Sequence, residues 1–287
     1  MKLLTWNIQW GRGADGRVDL DRIVADARRV ADFDVLCLQE VSDGYPELPG
    51  CDGADQFAAL ARRLPGYAAF DGPATDTPRP DGGRRRFGNL VLTRLAVRQA
   101  FRHLLPWPAD PGVRSMQRGA LELTLDAPAG PLRVMTTHLE YYSPVQRAAQ
   151  VERLRALHAE GWTQAKAVRP GDRSEGPFEA VGRGAGLVLV GDFNFRPEAP
   201  ERARLTAPSD DPAVPRLHDA WTLAHPGTPH ATTVGRNDPV QWPGPPFTCD
   251  FAFVSDDLAP RVAALEVDDR SDASDHQPML LELRDAP

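Results

Sequence analysis

The sequence predicts an α/β protein in which two sheets pack face to face with helices outside. Two observations predict it. Short apolar runs of strand length recur along the chain, and amphipathic stretches of helical period lie between some of them. The runs are Lys2–Ile8, Val35–Val41, Asn89–Leu92, Leu121–Leu125, Leu132–His138, Leu187–Val190, Phe251–Val254 and Met279–Leu283. They are β-branched or leucine-rich and bounded by Gly, Pro, Asp or Asn, which is how strands are punctuated.

The helical stretches follow in order. In Val18–Ala31 the apolar residues Leu20, Ile23, Val24, Ala27, Val30 and Ala31 keep the i, i+3, i+4 spacing of one helix face. Asp55–Leu64 repeats it with Phe57, Leu60, Ala61 and Leu64. Pro144–Val168 does so through Val145, Ala148, Val151, Leu154, Leu157 and Trp162, with Ser143 as cap and Pro144 at the first helical position. Three Pro/Gly-rich stretches, Gly72–Gly83, Pro170–Gly186 and Pro208–Pro246, read as surface loops rather than linkers, because strand-like segments with polar ends flank each one. No internal repeat is evident, and one domain over residues 1–287 is expected.

A chain of 287 residues with 41% hydrophobic and 25% charged content is of ordinary globular make-up and builds its core without disulfide staples. Cys37, Cys51 and Cys249 are widely spaced and form no CxxC pair. This argues against a disulfide framework or a structural zinc site, and the three read as buried or free thiols. The start, Met1-Lys2-Leu3-Leu4-Thr5-Trp6-Asn7, lacks an apolar region followed by a small-residue cleavage site. No apolar run approaches the ~20 residues of a membrane span. A cytoplasmic protein without membrane insertion is expected, and no protein partner is evident. The net charge of −7 weighs against tracking along nucleic acid but leaves room for a local basic patch.

The chemistry-bearing residues fall at the ends of the apolar runs. Asn7 closes Leu3–Trp6, Glu40 closes Val35–Gln39, Asn89 opens Leu90–Leu92 and His138 closes Val134–Thr137. Asp192 and Asn194 follow Leu187–Gly191, Asp250 opens Phe251–Val254, and Asp275 and His276 precede Gln277–Leu280. Strand ends of packed sheets converge, so these groups can meet in one cleft on rigid supports. The inventory is carboxylates, amides and two histidines. Hard oxygen donors suit magnesium, or manganese in its place, better than zinc. Phosphoryl transfer needs a cation on a phosphate oxygen, a group that aims water in line and donors for developing charge.

These segments resemble the endonuclease/exonuclease/phosphatase superfamily. The matching pieces are Thr5-Trp6-Asn7-Ile8-Gln9, Leu38-Gln39-Glu40, Gly88-Asn89-Leu90-Val91-Leu92-Thr93-Arg94, Thr137-His138-Leu139, Gly191-Asp192-Phe193-Asn194, Cys249-Asp250-Phe251 and Ser274-Asp275-His276-Gln277-Pro278. They stand in the family's order. The resemblance implies a four-layer αββα sandwich with two mainly antiparallel sheets. It implies hydrolysis of a phosphodiester or phosphomonoester by an activated water, with Mg2+ as cofactor. Glu40 would bind the metal, with Asn7 beside it and Asp275 nearby. Asp192 would hold or activate the water, and Asn194 would contact the phosphate. His276 would act as acid/base or stabilise phosphoryl charge, with Asp250 polarising it. His138 would contact the phosphate or donate a proton.

Two features depart from the abasic-site branch. That branch has an asparagine-containing segment where this chain has Thr137-His138-Leu139, and an arginine where it has Thr248. The substrate class stays open among a small molecule, a lipid head group and nucleic acid, and the acidic balance favours a compact one. A catalytically silent binding module is the rival, but a degenerate member would be expected to lose Glu40, Asp192 or His276, and all are present.

Other features carry plainer readings. Asn89 and Arg118 are further substrate-binding candidates; Asn89 also suits a turn. Arg84-Arg85-Arg86 reads as a solvated face, with a phosphate contact as the alternative. His218, His225 and His230 match no zinc spacing. Trp221, Trp242 and Phe247 either stack on a ligand or cover the core.

Overall fold

Successive residues of the apolar runs point to opposite faces, and both faces are buried. The computed structural model describes residues 1–167, Gly176 and residues 181–285. Its strands are β1 (Lys2–Asn7), β2 (Val35–Asp43), β3 (Ala68–Pro78), β4 (Arg84–Thr93), β5 (Val97–Leu104), β6 (Gly119–Ala127), β7 (Gly130–His138), β8 (Leu187–Asp192), β9 (Leu217–Asp219), β10 (Asp250–Ser255), β11 (Val262–Val267) and β12 (Met279–Leu283). Its helices are α1 (Leu20–Val30), α2 (Gln56–Arg63), α3 (Pro144–Ala167), α4 (Pro200–Leu205) and α5 (Ala220–Ala224).

The strands form two six-stranded sheets, ordered β11-β12-β1-β2-β4-β3 and β5-β6-β7-β8-β10-β9. Pairing is antiparallel except between β1 and β2 and between β7 and β8. Leu3, Val35, Cys37 and Val91 of the first sheet meet Leu121, Leu123, Val134, Val188, Val190, Ala252 and Val254 of the second, forming the central core. The alternate residues Leu4, Trp6, Leu36, Leu38, Leu90 and Leu92 pack on Ile23, Val24 and Ala27 of α1 and Phe57 and Leu60 of α2. Met135, Leu187, Leu189, Phe251 and Phe253 pack on Val151, Leu154 and Leu157 of α3. The result is helix–sheet–sheet–helix, with the central strands buried on both sides. Truncating a fully buried leucine such as Leu36 to alanine would cost about 2–5 kcal/mol.

Caps define the helix starts. Asp19 accepts from the N–H groups of Asp21 and Arg22, and Asp55 from that of Ala58. Ser143 Oγ accepts from the Gln146 N–H at 3.1 Å, just before α3.

Two loop expectations are corrected. Gly72–Pro78 belongs to β3, and Pro208–Pro246 contains β9 and α5. β3 is an edge strand, where proline leaves no ladder donor missing, and its pairing with β4 shifts register between Pro73 and Thr75. Most of Pro170–Gly186 lies outside the described residues. Arg84, Arg85 and Arg86 lie on β4 and pair with Asp76, Glu47 and Asp43. Cys37, Cys51 and Cys249 are free thiols. No helix among the described residues is long and apolar enough to cross a membrane.

Candidate active site

Three strand ends of the second sheet place three polar residues in one row. His138 ends β7 and stands opposite Asp192, which ends β8; Asp192 in turn stands opposite Asp250, which opens β10. Gly191 makes the close approach of β8 possible. Its φ is +133°, and a Cβ there would lie 2.0 Å from the Thr137 carbonyl oxygen. After Asp192, Phe193 packs edge-on against Phe251 and Phe253 and anchors the turn. Asn194 takes a left-handed φ of 52°. Its N–H donates to Asp192 Oδ1 at 2.9 Å and its Nδ2 to the Leu139 carbonyl at 2.9 Å.

The first sheet supplies the opposite wall. Glu40 comes from a bulge: Leu38 pairs with Leu90 and Val41 with Gly88, so β2 holds one residue more than β4 there. Glu40 itself has φ 59°. Asn7, at the end of β1, bridges the sheets. Its Nδ2 donates to Glu40 Oε1 at 3.1 Å and to Asp192 Oδ2 at 3.0 Å. Its Oδ1 accepts from the Gln9 N–H at 3.0 Å, so Asn7 presents its amide hydrogens, not its oxygen, to the carboxylates. Ser274 Oγ donates to the Asn7 carbonyl at 2.8 Å and so ties the Asp275–His276 segment to β1.

His276 Nδ1 lies 2.9 Å from Asp250 Oδ2, and its Nε2 lies 3.8 Å from Asp192 Oδ2. His138 Nε2 is 3.4 Å from the same Asp192 oxygen and 3.9 Å from Glu40 Oε1. Asp275 Oδ2 accepts from Gln9 Nε2 and from Trp242 Nε1, each at 2.9 Å. A cleft of about 560 Å³ opens over this cluster, lined among others by Glu40, His138, Asp192, Asn194, Asp275 and His276. That volume admits a small-molecule-sized ligand.

The electrostatics separate the two histidines. Burial, with the nearby charges of Arg118 and His276, holds His138 well below the usual imidazole range, so it is neutral. Burial also opposes charge on His276, but Asp250, Asp275 and Asp192 outweigh it and hold this ring well above that range. Burial and then Asp275 push Glu40 up to about 7, and burial and then Asp250 push Asp192 up. Both shifts come first from burial, which disfavours the charged carboxylate, and then from a neighbouring carboxylate, with the His276 charge working against them.

Arg118 lines the cleft, but its Nε donates to the buried Glu140 Oε2 at 3.1 Å. Asn89 does not line it; its Nδ2 donates to the Gly119 carbonyl at 3.1 Å, between the sheets. Trp242 and Phe247 line the cleft, whereas Trp221 lies in the core. His218, His225 and His230 bond separately to Asp256, Leu265 and Asp219. Gln9, Glu140, Tyr141 and Tyr142 line the cleft without having been singled out from sequence. The doublet Tyr141-Tyr142, directly after His138-Leu139-Glu140, was the available signal.

The Endonuclease/Exonuclease/phosphatase family model matches residues 4–276. The chain belongs to this family. Members of the superfamily are hydrolases acting on phosphate esters, and the family is generally dependent on divalent metal. No curated protein matches the sequence. Among solved structures, an endonuclease/exonuclease/phosphatase from Beutenbergia cavernae is 26% identical, with 99% of this chain and 71% of that chain covered and a TM-score of 0.64. A mannosyl-6-phosphatase from Bacteroides thetaiotaomicron is 14% identical, with 99% of both chains covered and a TM-score of 0.65. The human nocturnin catalytic domain, with a bound sulfate anion, is 20% identical over 98% of this chain and 92% of that chain, at a TM-score of 0.60.

The family's metal requirement suits the residues present. Glu40 keeps Oε1 on Asn7 and has Oε2 without a hydrogen-bond donor among the described residues. Asp275 adds a second carboxylate facing the same cleft. One ligand atom each of Asp192, Cys249 and His276 also lie within 4.8 Å of one another. That trio is a poor alternative: burial and then Asp192 and Asp250 push the Cys249 thiol well up, so it stays protonated, and His276 is committed to Asp250.

Proposed function

We propose that this family member is a magnesium-dependent phosphoesterase that hydrolyses a phosphodiester or phosphomonoester by in-line attack of water, with manganese as a substitute cofactor. Glu40 and Asp275 hold the cation, and Asn7 fixes Glu40 while donating to Asp192. When bound, a divalent cation supplies Lewis-acid stabilisation of a phosphoryl oxygen. Asp192 accepts the proton of the attacking water. Its Oδ2 is placed for this by Asn7, and its raised affinity for protons suits a base working near neutral pH. His276, kept as imidazolium by Asp250, stabilises charge on the phosphoryl oxygens and can return a proton. Neutral His138 and the Asn194 region contact the remaining oxygens.

The observation that carries this reading is the convergence of Glu40, Asp192 and the His276–Asp250 pair around Asn7 in one cleft. It is tested by hydrolysis of 4-nitrophenyl phosphate, bis-4-nitrophenyl phosphate, DNA, RNA and phosphoinositides with Mg2+, Mn2+ or a chelator. The expected result is turnover of at least one ester that stops with the chelator. Full activity after exhaustive chelation would end the metal assignment.

A further inference from the structure

Most of the large hydrophobic side chains open to solvent sit on two segments, one of which borders the cleft. They are Leu104, Trp107, Tyr141, Tyr142 and Val145; among the described residues the one further exposed large hydrophobic is Val240. Two segments carry them. The stretch after β5 is pinned to the start of α3 by Ser143 Oγ on Asp110 Oδ2 at 2.6 Å, Gln146 Nε2 on the Pro108 carbonyl at 2.9 Å and Gln150 Nε2 on the Pro106 carbonyl at 3.3 Å. The Tyr141-Tyr142 turn is fixed from below. Glu140 Oε1 accepts from the Tyr142 N–H at 2.9 Å, and an Arg147 NH1 nitrogen donates to the Glu140 and Tyr141 carbonyls, each at 3.0 Å. The wall is therefore built rather than loose. Its tyrosine rings meet edge to face at 4.9 Å.

Tyr141 and Tyr142 line the cleft together with Arg114, whereas Leu104, Trp107 and Val145 do not. The Arg114 guanidinium sits 5.8 Å from the Tyr142 ring centroid. Among the described residues Arg114 forms no ion pair and no hydrogen bond, in contrast to Arg118, whose charge is met by Glu140. The part of the wall that faces the substrate is thus two half-exposed aromatic rings and one uncommitted guanidinium. Rings of this kind stack on flat groups, and a guanidinium held over a ring keeps its fork of donors for an oxyanion.

Resting on the phosphoesterase reading, we infer that this wall is a specificity subsite for a nucleotide-sized substrate: Tyr141 and Tyr142 receive a flat ring, and Arg114 receives a second phosphate distinct from the scissile one. The members of this wall that line the cleft are aromatic and cationic rather than aliphatic, which suits a flat anionic ligand better than a lipid chain. The cleft volume of about 560 Å³ suits one small ligand rather than a duplex.

The test measures binding in the full-length Asp192→Asn variant, with Mg2+, so that turnover does not intrude. The ligands are 5′-phosphorylated dithymidylate, the same dinucleotide without that phosphate, and vesicles of phosphatidylcholine and phosphatidylglycerol. Adding Arg114→Ala should weaken the phosphorylated ligand by about tenfold and the other by less than about twofold, as for one lost charge-assisted contact. Tyr142→Ala should weaken both by about tenfold and Tyr142→Phe should not, because the ring face carries the stacking. The same order should appear in KM without the Asp192 change. Equal losses on both ligands with Arg114→Ala, or no loss, would overturn the second-phosphate role. Tyr142-dependent vesicle binding with no nucleotide binding would make the wall a membrane patch instead. If the dinucleotides bind in this pattern but no phosphate ester is turned over, the subsite stands and the hydrolase reading fails.

Discussion

Glu40 gives the account a stability test that is independent of turnover. Its folded pKa is pushed from an ordinary 4.5 to about 7, first by burial and then by Asp275. The folded state therefore binds this proton more tightly than the unfolded state. By linkage, stability falls as pH rises between those two values, and the full cost is present above about pH 7. A difference of about 2.5 pKa units at 1.36 kcal/mol each gives about 3 kcal/mol as an upper bound. The Glu40 side chain keeps 19% exposure, which lowers the expected value to about 1–3 kcal/mol. Glu40→Gln removes the charge while an amide oxygen can still accept from Asn7. The metal-free variant should thus melt about 2–6 °C above the wild type near pH 8, with the gain vanishing near pH 4.5. Adding Mg2+ near pH 8 should reverse the order, since cation at a hundredfold excess over its dissociation constant adds about 2.7 kcal/mol to the wild type. Thermal melts in chelator and in Mg2+ at both pH values measure this. A variant less stable than wild type in chelator near pH 8, or equally stabilised near pH 4.5, would refute the cost assigned to the buried Glu40 charge.

The remaining predictions concern the other cluster residues. His276→Ala and Asp192→Asn should each lower kcat by ~10²–10⁴-fold with a modest change in KM, and the double variant should be little worse than the poorer single one. Asp250→Asn removes the charge that holds His276 protonated; activity that is lost as His276 deprotonates should then fail at lower pH, shifting the alkaline limb of the pH–rate profile downward. Arg118→Met leaves Glu140 buried without its cation and should cost about 3–5 kcal/mol, read by denaturant melts.

The parts of the fold legible in the sequence, and those that were not, divide at the sheet edges. Val35–Leu38 stands out because Leu36 and Leu38 face helices while Val35 and Cys37 face the other sheet, so every position is apolar. The four strands without such a run are β3, β5, β9 and β11, and these are the four sheet edges. An edge strand is half exposed and tolerates Pro73 in β3 or the alternating Val97–Leu104 of β5, so composition disguises it.

The site was legible where a polar residue ended a buried run, as at Asn7, His138, Asp192 and Asp250. Gln9 was not, because it ends no buried run and its partner Asp275 is far off in sequence. The Glu140–Arg118 pair was hidden likewise, and it ties up the arginine that sequence alone offered for substrate. Asn89, read from sequence as opening a strand, lies inside β4 (Arg84–Thr93), and its Nδ2 donates between the sheets to the Gly119 carbonyl.

The central claim is that these groups form one cation-dependent hydrolytic site. Steady-state hydrolysis of bis-4-nitrophenyl phosphate or 4-nitrophenyl phosphate by wild type and His276→Ala, titrated with Mg2+ from a chelated start, tests it most directly. The account predicts saturable, Mg2+-dependent turnover in the wild type and a kcat lower by ~10²–10⁴-fold in the variant. Turnover that ignores the cation, or a variant as fast as the wild type, would contradict it.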